Sequence, residues 1–255
     1  MSKAGSGKTG AALRLDRLLA NLGYGSRREV QQLAAAGLVV LDGAPLRDVG
    51  GRIPLTSDLP TRMTVQGAAI DPPPGMVLML HKPLSVTCSH KEAGPLVYDL
   101  LPTRWRRRDP AISTIGRLDK DTSGLLLLTD DGDFLHRVIS PRNHVPKRYH
   151  VTLDRPLNGD ETAIFAAGTL MLESDDKPLL PAGLEVLGER EARLTLSEGR
   201  YHQVRRMFAA VGNHVTALHR DRVGALDLPA DLAPGAYRLL DGDGQAAVFG
   251  APPRP

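Results

Sequence analysis

The sequence has few of the features that mark several large classes of protein. It contains a single cysteine, Cys88, which excludes an intrachain disulfide framework and is consistent with a reducing cytoplasm, where we expect the protein to act. No apolar run approaches the roughly 18 residues that a membrane span needs, and residues 1–10 lack the apolar core of a secretory signal. Aromatic residues make up only 4%, which argues against a broad stacking platform for single strands.

The remaining composition is typical of a soluble globular protein that can bury a core. Of 255 residues, 42% are hydrophobic and 24% are charged. The net charge of +3 is unevenly distributed: residues 13–67 carry +2, residues 102–150 carry +4 and residues 198–222 carry +3, whereas residues 223–255 carry −2. A surface that faces phosphate groups needs charge segregated in this way.

The first 12 residues are small, polar and glycine-rich, so we expect a disordered amino-terminal tail. Within it, Gly7-Lys8-Thr9 is similar to the end of a phosphate-binding loop. That loop requires a glycine five positions earlier, where this chain has Ser2, and it requires a preceding strand for which there is no room. Nucleotide binding at this tail is therefore not expected.

Beyond the tail, the patterns predict two α+β domains. Residues 13–67 predict a small module of two short helices, with a hairpin at Asp42-Gly43. Residues 68–75 contain three consecutive prolines and predict a linker. Residues 76–240 alternate irregularly between many strands and few helices, which predicts a mixed, mainly antiparallel sheet with flanking helices, and residues 241–255 predict a carboxy-terminal tail.

Two arginines of the small module suggest what it binds. Ser26 and Glu29 have the spacing of a capping box, so Arg27 and Arg28 lie in the first turn of a helix, where cations oppose the helix dipole but the backbone amides favour phosphate. This placement favours nucleic-acid contact over a merely solvated face. Residues 13–67 resemble an S4-like RNA-binding domain, in which two short helices present basic residues to structured RNA. That resemblance implies RNA binding but no reaction.

The most unusual segment is IGRLDKDTSGLLLLTDDGDF, residues 115–134, in which a polar loop lies between two apolar strands. On spacing alone, an Asx-type turn that uses Asp119 or Asp121 is the favoured interpretation, ahead of a carboxylate aimed at a substrate. The aspartates lack the order of an EF-hand, and the histidines and the cysteine lack the spacing of zinc ligands. No metal site is therefore predicted.

A second unusual segment, SEGRYHQVRRMFAAVGNHV, covers residues 197–215. Its apolar residues predict one face of a helix and place Arg205 and Arg206 beside that face. A half-buried arginine close to a loop carboxylate would keep that carboxylate ionised and oriented. An exposed arginine pair fits the spacing equally well.

Four segments together strongly resemble the pseudouridine synthases that act on ribosomal RNA. The YHQV and LHRDR strings are most similar to the small-subunit (16S) branch of the two-domain members. The resemblance implies an isomerase that converts a specific uridine of 16S rRNA to pseudouridine without a cofactor or a metal. Its partner would be 16S rRNA or a small-subunit assembly intermediate, bound by a monomer. The segments are KPLSVTCS (residues 82–89), GRLDKDTSGLLLLTDDG (residues 116–132), SPRNHVPKRYHVTL (residues 140–153) and EGRYHQVRRMFAAVGNHV (residues 198–215).

The resemblance also assigns roles to individual residues. Asp119 matches the catalytic carboxylate, Tyr149 the aromatic residue that stacks on the target base, and Arg205 the basic residue paired with that carboxylate. Isomerisation breaks the C1′–N1 bond and rejoins the uracil through C5. It therefore needs a carboxylate that is ionised although poorly solvated, and an adjacent cation compensates for the missing water. The residues predicted to contact RNA are Arg14, Arg17, Arg27, Arg28, Arg117, Lys147, Arg148, Arg200, His202 and Arg206.

Three alternatives remain open from the sequence. The first is a synthase for 23S rRNA of the large subunit, and the second is a non-catalytic RNA-binding or assembly factor. The third is a hydrolase that uses the aspartate loop, which lacks a recognisable second carboxylate. The sequence also leaves open whether Asp119 attacks C1′ or removes a sugar proton.

Overall fold

The computed structural model describes residues 12–251 and divides into two compact units. The first unit comprises residues 12–76 and 102–112, and the second comprises residues 77–101 and 113–251. Of the predicted disordered tail only Ala12 is described, and it begins a strand; residues 1–11 lie outside the described part. Within residues 12–251, no helix is both long enough and apolar enough to cross a membrane.

The first unit is built around the two predicted helices. Leu18 and Leu22 of the first helix are fully buried and pack with Val30 of the second. The predicted capping box is formed: the Glu29 amide donates to Ser26 Oγ at 3.3 Å, and the Ser26 amide donates to the Glu29 carboxylate at 2.6 Å. The elements are β1 (Ala12–Arg14), α1 (Leu15–Asn21), α2 (Arg27–Ala35), β2 (Val39–Leu41), β3 (Ala44–Pro45), β4 (Arg52–Pro54), α3 (Leu59–Arg62), β5 (Met63–Val65) and β6 (Ala68–Ala69).

Two small sheets complete this unit. Strands β3, β2, β5 and β6 form an antiparallel sheet in that order, and β1 pairs with β4. The predicted hairpin joins β2 to β3, with Asp42 at φ 49° and Gly43 at φ 79°. Left-handed φ at both central residues is the requirement of the two-residue turn that Asp-Gly favours.

Residues 68–75 are not the free linker that their prolines predicted. Ile70 is buried in the core of the first unit, and the Asp71 carboxylate accepts hydrogen bonds from Arg104 at 2.6 and 2.9 Å. Residues 102–112, which the sequence placed in the larger domain, therefore belong to the first unit. Arg104 and Arg108 of this segment are held by partners more than 30 positions away, contacts that local periodicity does not encode.

The second unit contains a nine-stranded sheet, mostly antiparallel, in agreement with the predicted α+β class. Its main path runs β11-β12-β10-β13-β9-β7-β15, with β14 paired to β13 and β8 paired to β9. The elements are β7 (Val77–Lys82), β8 (Ser113–Ile115), β9 (Thr122–Thr129), α4 (Gly132–Ile139), β10 (Lys147–Leu153), α5 (Glu161–Ala166), β11 (Gly183–Gly188), β12 (Glu191–Leu196), α6 (Gln203–Ala210), β13 (Val215–Val223), β14 (Leu226–Asp227), β15 (Tyr237–Leu239) and α7 (Gly242–Ala247).

A parallel pairing at the centre of this sheet brings two distant segments together. Strand β13 pairs with the first residues of β9, where Arg220 is opposite Gly124. Gly124 has φ +112°, and a Cβ atom at this position would lie 2.1 Å from the Arg220 carbonyl oxygen. A glycine is therefore required for the strand that follows the GRLD motif to approach β13.

The predicted carboxy-terminal tail is wrong for most of its length. Asp241 caps α7, accepting a hydrogen bond from the Gly244 amide at 2.8 Å. Val248 is fully buried, and the ring of Phe249 lies 5.3 Å from that of Phe134, edge to face. These apolar contacts hold the segment on the second unit, and residues 252–255 lie outside the described part.

Candidate active site

Asp119 lies on the loop between β8 and β9, and backbone contacts hold this loop at both ends. The Thr122 amide donates to the Asp119 carbonyl at 3.1 Å, which closes the turn. The Ser85 amide donates to the Lys120 carbonyl at 2.8 Å, which ties the loop to the segment after β7. The loop therefore presents the Asp119 carboxylate from a fixed backbone, with 30% of the side chain exposed.

Lys82, at the end of β7, is fully buried beneath this loop. Its ammonium group donates to the carbonyl of Thr122 at 2.8 Å, of Pro83 at 3.0 Å and of Lys120 at 3.5 Å. Burial lowers the pKa of Lys82, while the nearby Cys88, Asp119 and Asp121 act in the opposite direction. No role was predicted for Lys82 from the sequence, although it begins one of the matching segments.

The Asp119 carboxylate lies next to the imidazole of His202. Its Nε2 lies 3.3 Å from Asp119 Oδ1. His202 directly precedes α6 and has a left-handed backbone with φ +48°, which is uncommon for a residue other than glycine. The sequence predicted His202 as an RNA contact, whereas the structure places its imidazole against the proposed catalytic carboxylate.

Arg205 lies one helical turn later and pairs with the other carboxylate of the loop. Its guanidinium is 2.9 Å from Asp121 Oδ2, and it also donates to the carbonyls of Asp121 at 3.2 Å and Val215 at 3.0 Å. The predicted pairing of Arg205 with Asp119 is therefore wrong in this structure. Asp121, interpreted from the sequence as a loop-shaping residue, holds the arginine beside the loop.

Tyr149 lies on β10, half-buried against the core that α6 covers. The guanidinium carbon of Arg220 is 6.0 Å from the centre of its ring, and Arg220 Nε donates to the Leu125 carbonyl at 2.8 Å. On the same strand, burial and the charge of Arg220 lower the pKa of Lys147 to about 8. Arg220 was missed at the sequence level, where it was noted only as part of the LHRDR string.

Apart from the buried Lys82, these side chains line one cavity of about 760 Å³ in the second unit, a size typical of ligand pockets. Asp119, Tyr149 and Arg205 all contribute to its wall, so the structure brings the three predicted catalytic residues together at one cavity. Arg117, exposed and 3.7 Å from the Glu92 carboxylate, also lines the cavity. The wall also contains His202 and the lysine and arginine side chains Lys120, Lys147, Arg200 and Arg220.

Three of the arginines predicted to contact RNA in this unit are already paired with carboxylates. Arg148 makes a two-bond fork with Asp221 at 2.9 and 3.0 Å. Arg200 and Arg206 share Asp175, each at 2.8 Å. These pairs compensate the charges locally and hold loops in place, so their arginines have less charge to offer a phosphate.

In the first unit, two of the four arginines predicted to contact RNA are paired with a carboxylate. Arg14 and Arg27 both reach the buried Asp16 carboxylate, at 3.0 and 2.9 Å. Hydrogen bonds from Arg14 and then from Arg27 hold the pKa of Asp16 at about 2, against the opposing effect of burial. Arg17 and Arg28 are exposed.

Comparison with known proteins connects this geometry to a family. The family described as "RNA pseudouridylate synthase" matches residues 76–210, more than half of the chain, and "S4 domain" matches residues 13–55. "Ribosomal small subunit pseudouridine synthase A" of Escherichia coli (strain K12) is 49% identical over 173 residues, 67% of this chain and 72% of the relative. The protein of the same name from Yersinia pestis is 42% identical over 244 residues, 94% of this chain and 99% of the relative.

A solved structure agrees with this assignment at the level of the fold. The protein described as "Crystal structure of pseudouridylate synthase" superposes with a TM-score of 0.65 and 34% identity, covering 92% of this chain and 99% of its own. The resemblance found in the sequence motifs is thereby confirmed. The chain belongs to the RNA pseudouridylate synthase family of isomerases and carries an S4 domain on its amino-terminal side.

Proposed function

We propose that this protein isomerises one uridine of 16S rRNA to pseudouridine, with Asp119 as the reacting carboxylate. The observation that carries the proposal is the position of Asp119, on a backbone-anchored loop in the cavity that also holds Tyr149. The small-subunit substrate is supported by the relatives named as small-subunit enzymes, one of which aligns with 94% of this chain. We expect no cofactor, because the proposed isomerisation involves neither a redox step nor a phosphate transfer.

The proposed reaction starts from an ionised carboxylate in a partly desolvated site. The Asp119 side chain, 30% exposed, lies beside the His202 imidazole, and the lysines and arginines of the cavity wall would supply a positive field that favours a carboxylate. Either attack on C1′ or removal of a sugar proton would use this carboxylate, and either leads to cleavage of the C1′–N1 bond. The uracil then turns, and C5 bonds to C1′. In the first route this displaces the Asp119 carboxylate from C1′, and in the second the sugar regains the proton that it lost. C5 releases its proton and N1 gains one, so the product is an isomer of the substrate.

Tyr149 and the cations around it would hold the uracil during this turn. The half-buried tyrosine ring offers a face for stacking on the target base, and Arg220 fixes one side of that ring. Extruding the base from folded RNA costs a few kcal/mol. Arg117, exposed in the cavity wall, is placed to offset part of this cost by contact with the opened strand.

The first unit would supply affinity for structured RNA. The exposed Arg17 of α1 and Arg28 of the first turn of α2 would offer their charge to RNA phosphates. Arg14 and Arg27 would contribute less than their formal charge because both neutralise Asp16. We further propose that the protein acts as a monomer in the cytoplasm, on 16S rRNA or on an assembling small subunit.

Mapping the product tests this function directly. The protein is incubated with unmodified 16S rRNA, with 23S rRNA and with small-subunit particles built from unmodified RNA, and pseudouridine is mapped chemically in each. We expect one new pseudouridine in 16S rRNA or in the particle. Uridine 516, the position that the resemblance to the small-subunit enzymes implies, is the first to inspect. A product in 23S rRNA alone would show the large-subunit alternative to be correct. No product in any RNA, where a small-subunit relative modifies its target, would refute the activity.

The two aspartates of the loop provide a matched pair of variants. Asp119→Asn should abolish turnover and leave RNA affinity within a few-fold, because the amide keeps the shape of the side chain but removes the charge. Asp121→Asn removes the same charge two positions away and weakens only the contact with Arg205, so it should retain measurable turnover. Full activity of Asp119→Asn would contradict the catalytic assignment.

A further inference from the structure

Tyr201 is unusual among the aromatic residues of the described chain. Within residues 12–251 it is the only aromatic side chain that is mainly exposed, with 77% of its surface accessible, whereas the others are buried or half-buried. It lies at the wall of the cavity that contains Asp119. Leaving a large aromatic ring in water forgoes the stabilisation that its burial would bring, so its position calls for a partner.

The exposure of Tyr201 comes from a fixed backbone. The Arg200 amide donates to Gln203 Oε1 at 2.8 Å, and Arg206 donates to the Tyr201 carbonyl at 3.3 Å. The Arg200 guanidinium in turn binds the Lys177 carbonyl at 2.7 Å. These contacts prevent the loop from folding the tyrosine ring back onto the core.

One face of the Tyr201 ring is covered by a neighbouring side chain. It stacks on the imidazole of His202, with ring centres 3.9 Å apart and planes inclined by 17°. The same imidazole is 3.3 Å from Asp119. A flat group on the outer face of Tyr201 would be two ring spacings from His202, too far from Asp119 to be the group that reacts there.

We propose that Tyr201 is a stacking platform for an unpaired nucleobase of a nucleotide that flanks the isomerised uridine. A nucleobase is favoured over an apolar protein side chain because the cavity that Tyr201 lines also contains basic side chains such as Arg117 and Lys147, which suit a phosphate-linked ligand. The platform is prepared before binding, since His202 supports the ring and the loop contacts hold its backbone. This proposal rests on the proposed function.

The platform is tested by comparing wild type and Tyr201 variants on RNAs with and without a base at each flanking nucleotide. Short RNAs that contain the mapped uridine are made with a single abasic site at each flanking nucleotide in turn. With intact RNA, Tyr201→Ala should lower kcat/KM by roughly 5- to 150-fold, the range for one base stacked on an aromatic side chain, and Tyr201→Phe should remain close to wild type. With the abasic site at the contacted nucleotide, wild type and Tyr201→Ala should become equal. An alanine variant without any loss, or with the same loss on every abasic RNA, would refute the platform.

A binding signal that does not depend on turnover completes the test. In Asp119→Asn, 2-aminopurine placed at the contacted nucleotide should lose fluorescence on binding, and the double variant with Tyr201→Ala should show no such loss. Leu187→Ala, which removes a different exposed apolar side chain, is the control and should leave the quenching unchanged. If Tyr201→Ala affects only intact particles and not RNA alone, the partner is a protein and the proposal is wrong. A failure of the proposed function would give a different result from a failure of the platform, because the wild-type protein would then make no pseudouridine in intact RNA.

Discussion

Replacing Lys82 by methionine tests whether a buried ammonium group holds the loop that carries Asp119. Methionine has nearly the same length and shape as lysine but donates no hydrogen bond. The change removes two bonds of 2.8 and 3.0 Å, to the Thr122 and Pro83 carbonyls, and a weaker contact of 3.5 Å to the Lys120 carbonyl. The loop then loses its support from β7 on that side.

Two opposing effects set the change in stability. Hydrogen bonds that involve a charged donor contribute roughly 1.5–3 kcal/mol each, so losing two costs about 3–6 kcal/mol. Removing a buried charge returns a desolvation penalty of several kcal/mol, which offsets part of this loss. We expect a net loss of about 1–3 kcal/mol in the free energy of unfolding. The effect on catalysis should be larger, because displacing a reacting group by about 1 Å costs on the order of 100-fold in rate.

The assay combines urea unfolding with kcat at saturating RNA, and Lys91→Met, on an exposed side chain, serves as the control. Since burial lowers the pKa of Lys82, the unfolded chain holds its proton to higher pH than the folded chain does. Wild type should therefore gain stability relative to Lys82→Met as pH rises towards the ordinary lysine pKa. A methionine variant with wild-type kcat would refute the view that Lys82 positions the loop.

Three further predictions follow from contacts elsewhere in the protein. Gly124→Ala should destabilise the protein by about 3 kcal/mol or more in urea unfolding, since its Cβ would lie 2.1 Å from the Arg220 carbonyl oxygen. Gly188→Ala should not, because its Cβ would meet only Glu191 Cβ, at 4.0 Å. RNA affinity at fixed salt should weaken as pH rises from 7 to 9, because Lys147, with its pKa lowered to about 8, loses its charge. Lys147→Arg should abolish this decline, and an unchanged decline in that variant would implicate another group. Asp16→Asn should lower the free energy of unfolding by about 1–2 kcal/mol at pH 7, a value that allows for the half-exposed arginines. The loss should be much smaller near pH 2, because the wild-type carboxylate, with its pKa of about 2, is itself half protonated there. An equal loss at both pH values would contradict the ion-pair explanation.

The parts of the fold that the sequence predicted depend on short-range signals. The leucines of α1 recur on one helical face, and the Ser26–Glu29 capping box marks the start of α2. Asp42-Gly43 forms the predicted hairpin because both residues tolerate left-handed φ. Each signal acts within one or two turns of chain, so neighbouring residues suffice to identify it.

The errors came from contacts between distant residues. The prolines of residues 68–75 suggested a linker, yet Ile70 is buried and Asp71 holds Arg104. Likewise, a segment rich in glycine and alanine was interpreted as a tail although it forms α7 and anchors Val248 in the core. Composition describes what a segment prefers alone, and burial against the rest of the unit overrode that preference.

By itself, the sequence determined the family, the two modules and the loop that carries Asp119, since these follow from motifs whose residues are adjacent in the chain. Only the tertiary structure decided which basic side chain lies next to which carboxylate. The Arg205 side chain reaches Asp121, while the left-handed backbone of His202 aims its imidazole at Asp119. Such pairings depend on differences of a few ångströms between α6 and a loop more than 80 residues away, and no spacing within the chain specifies them.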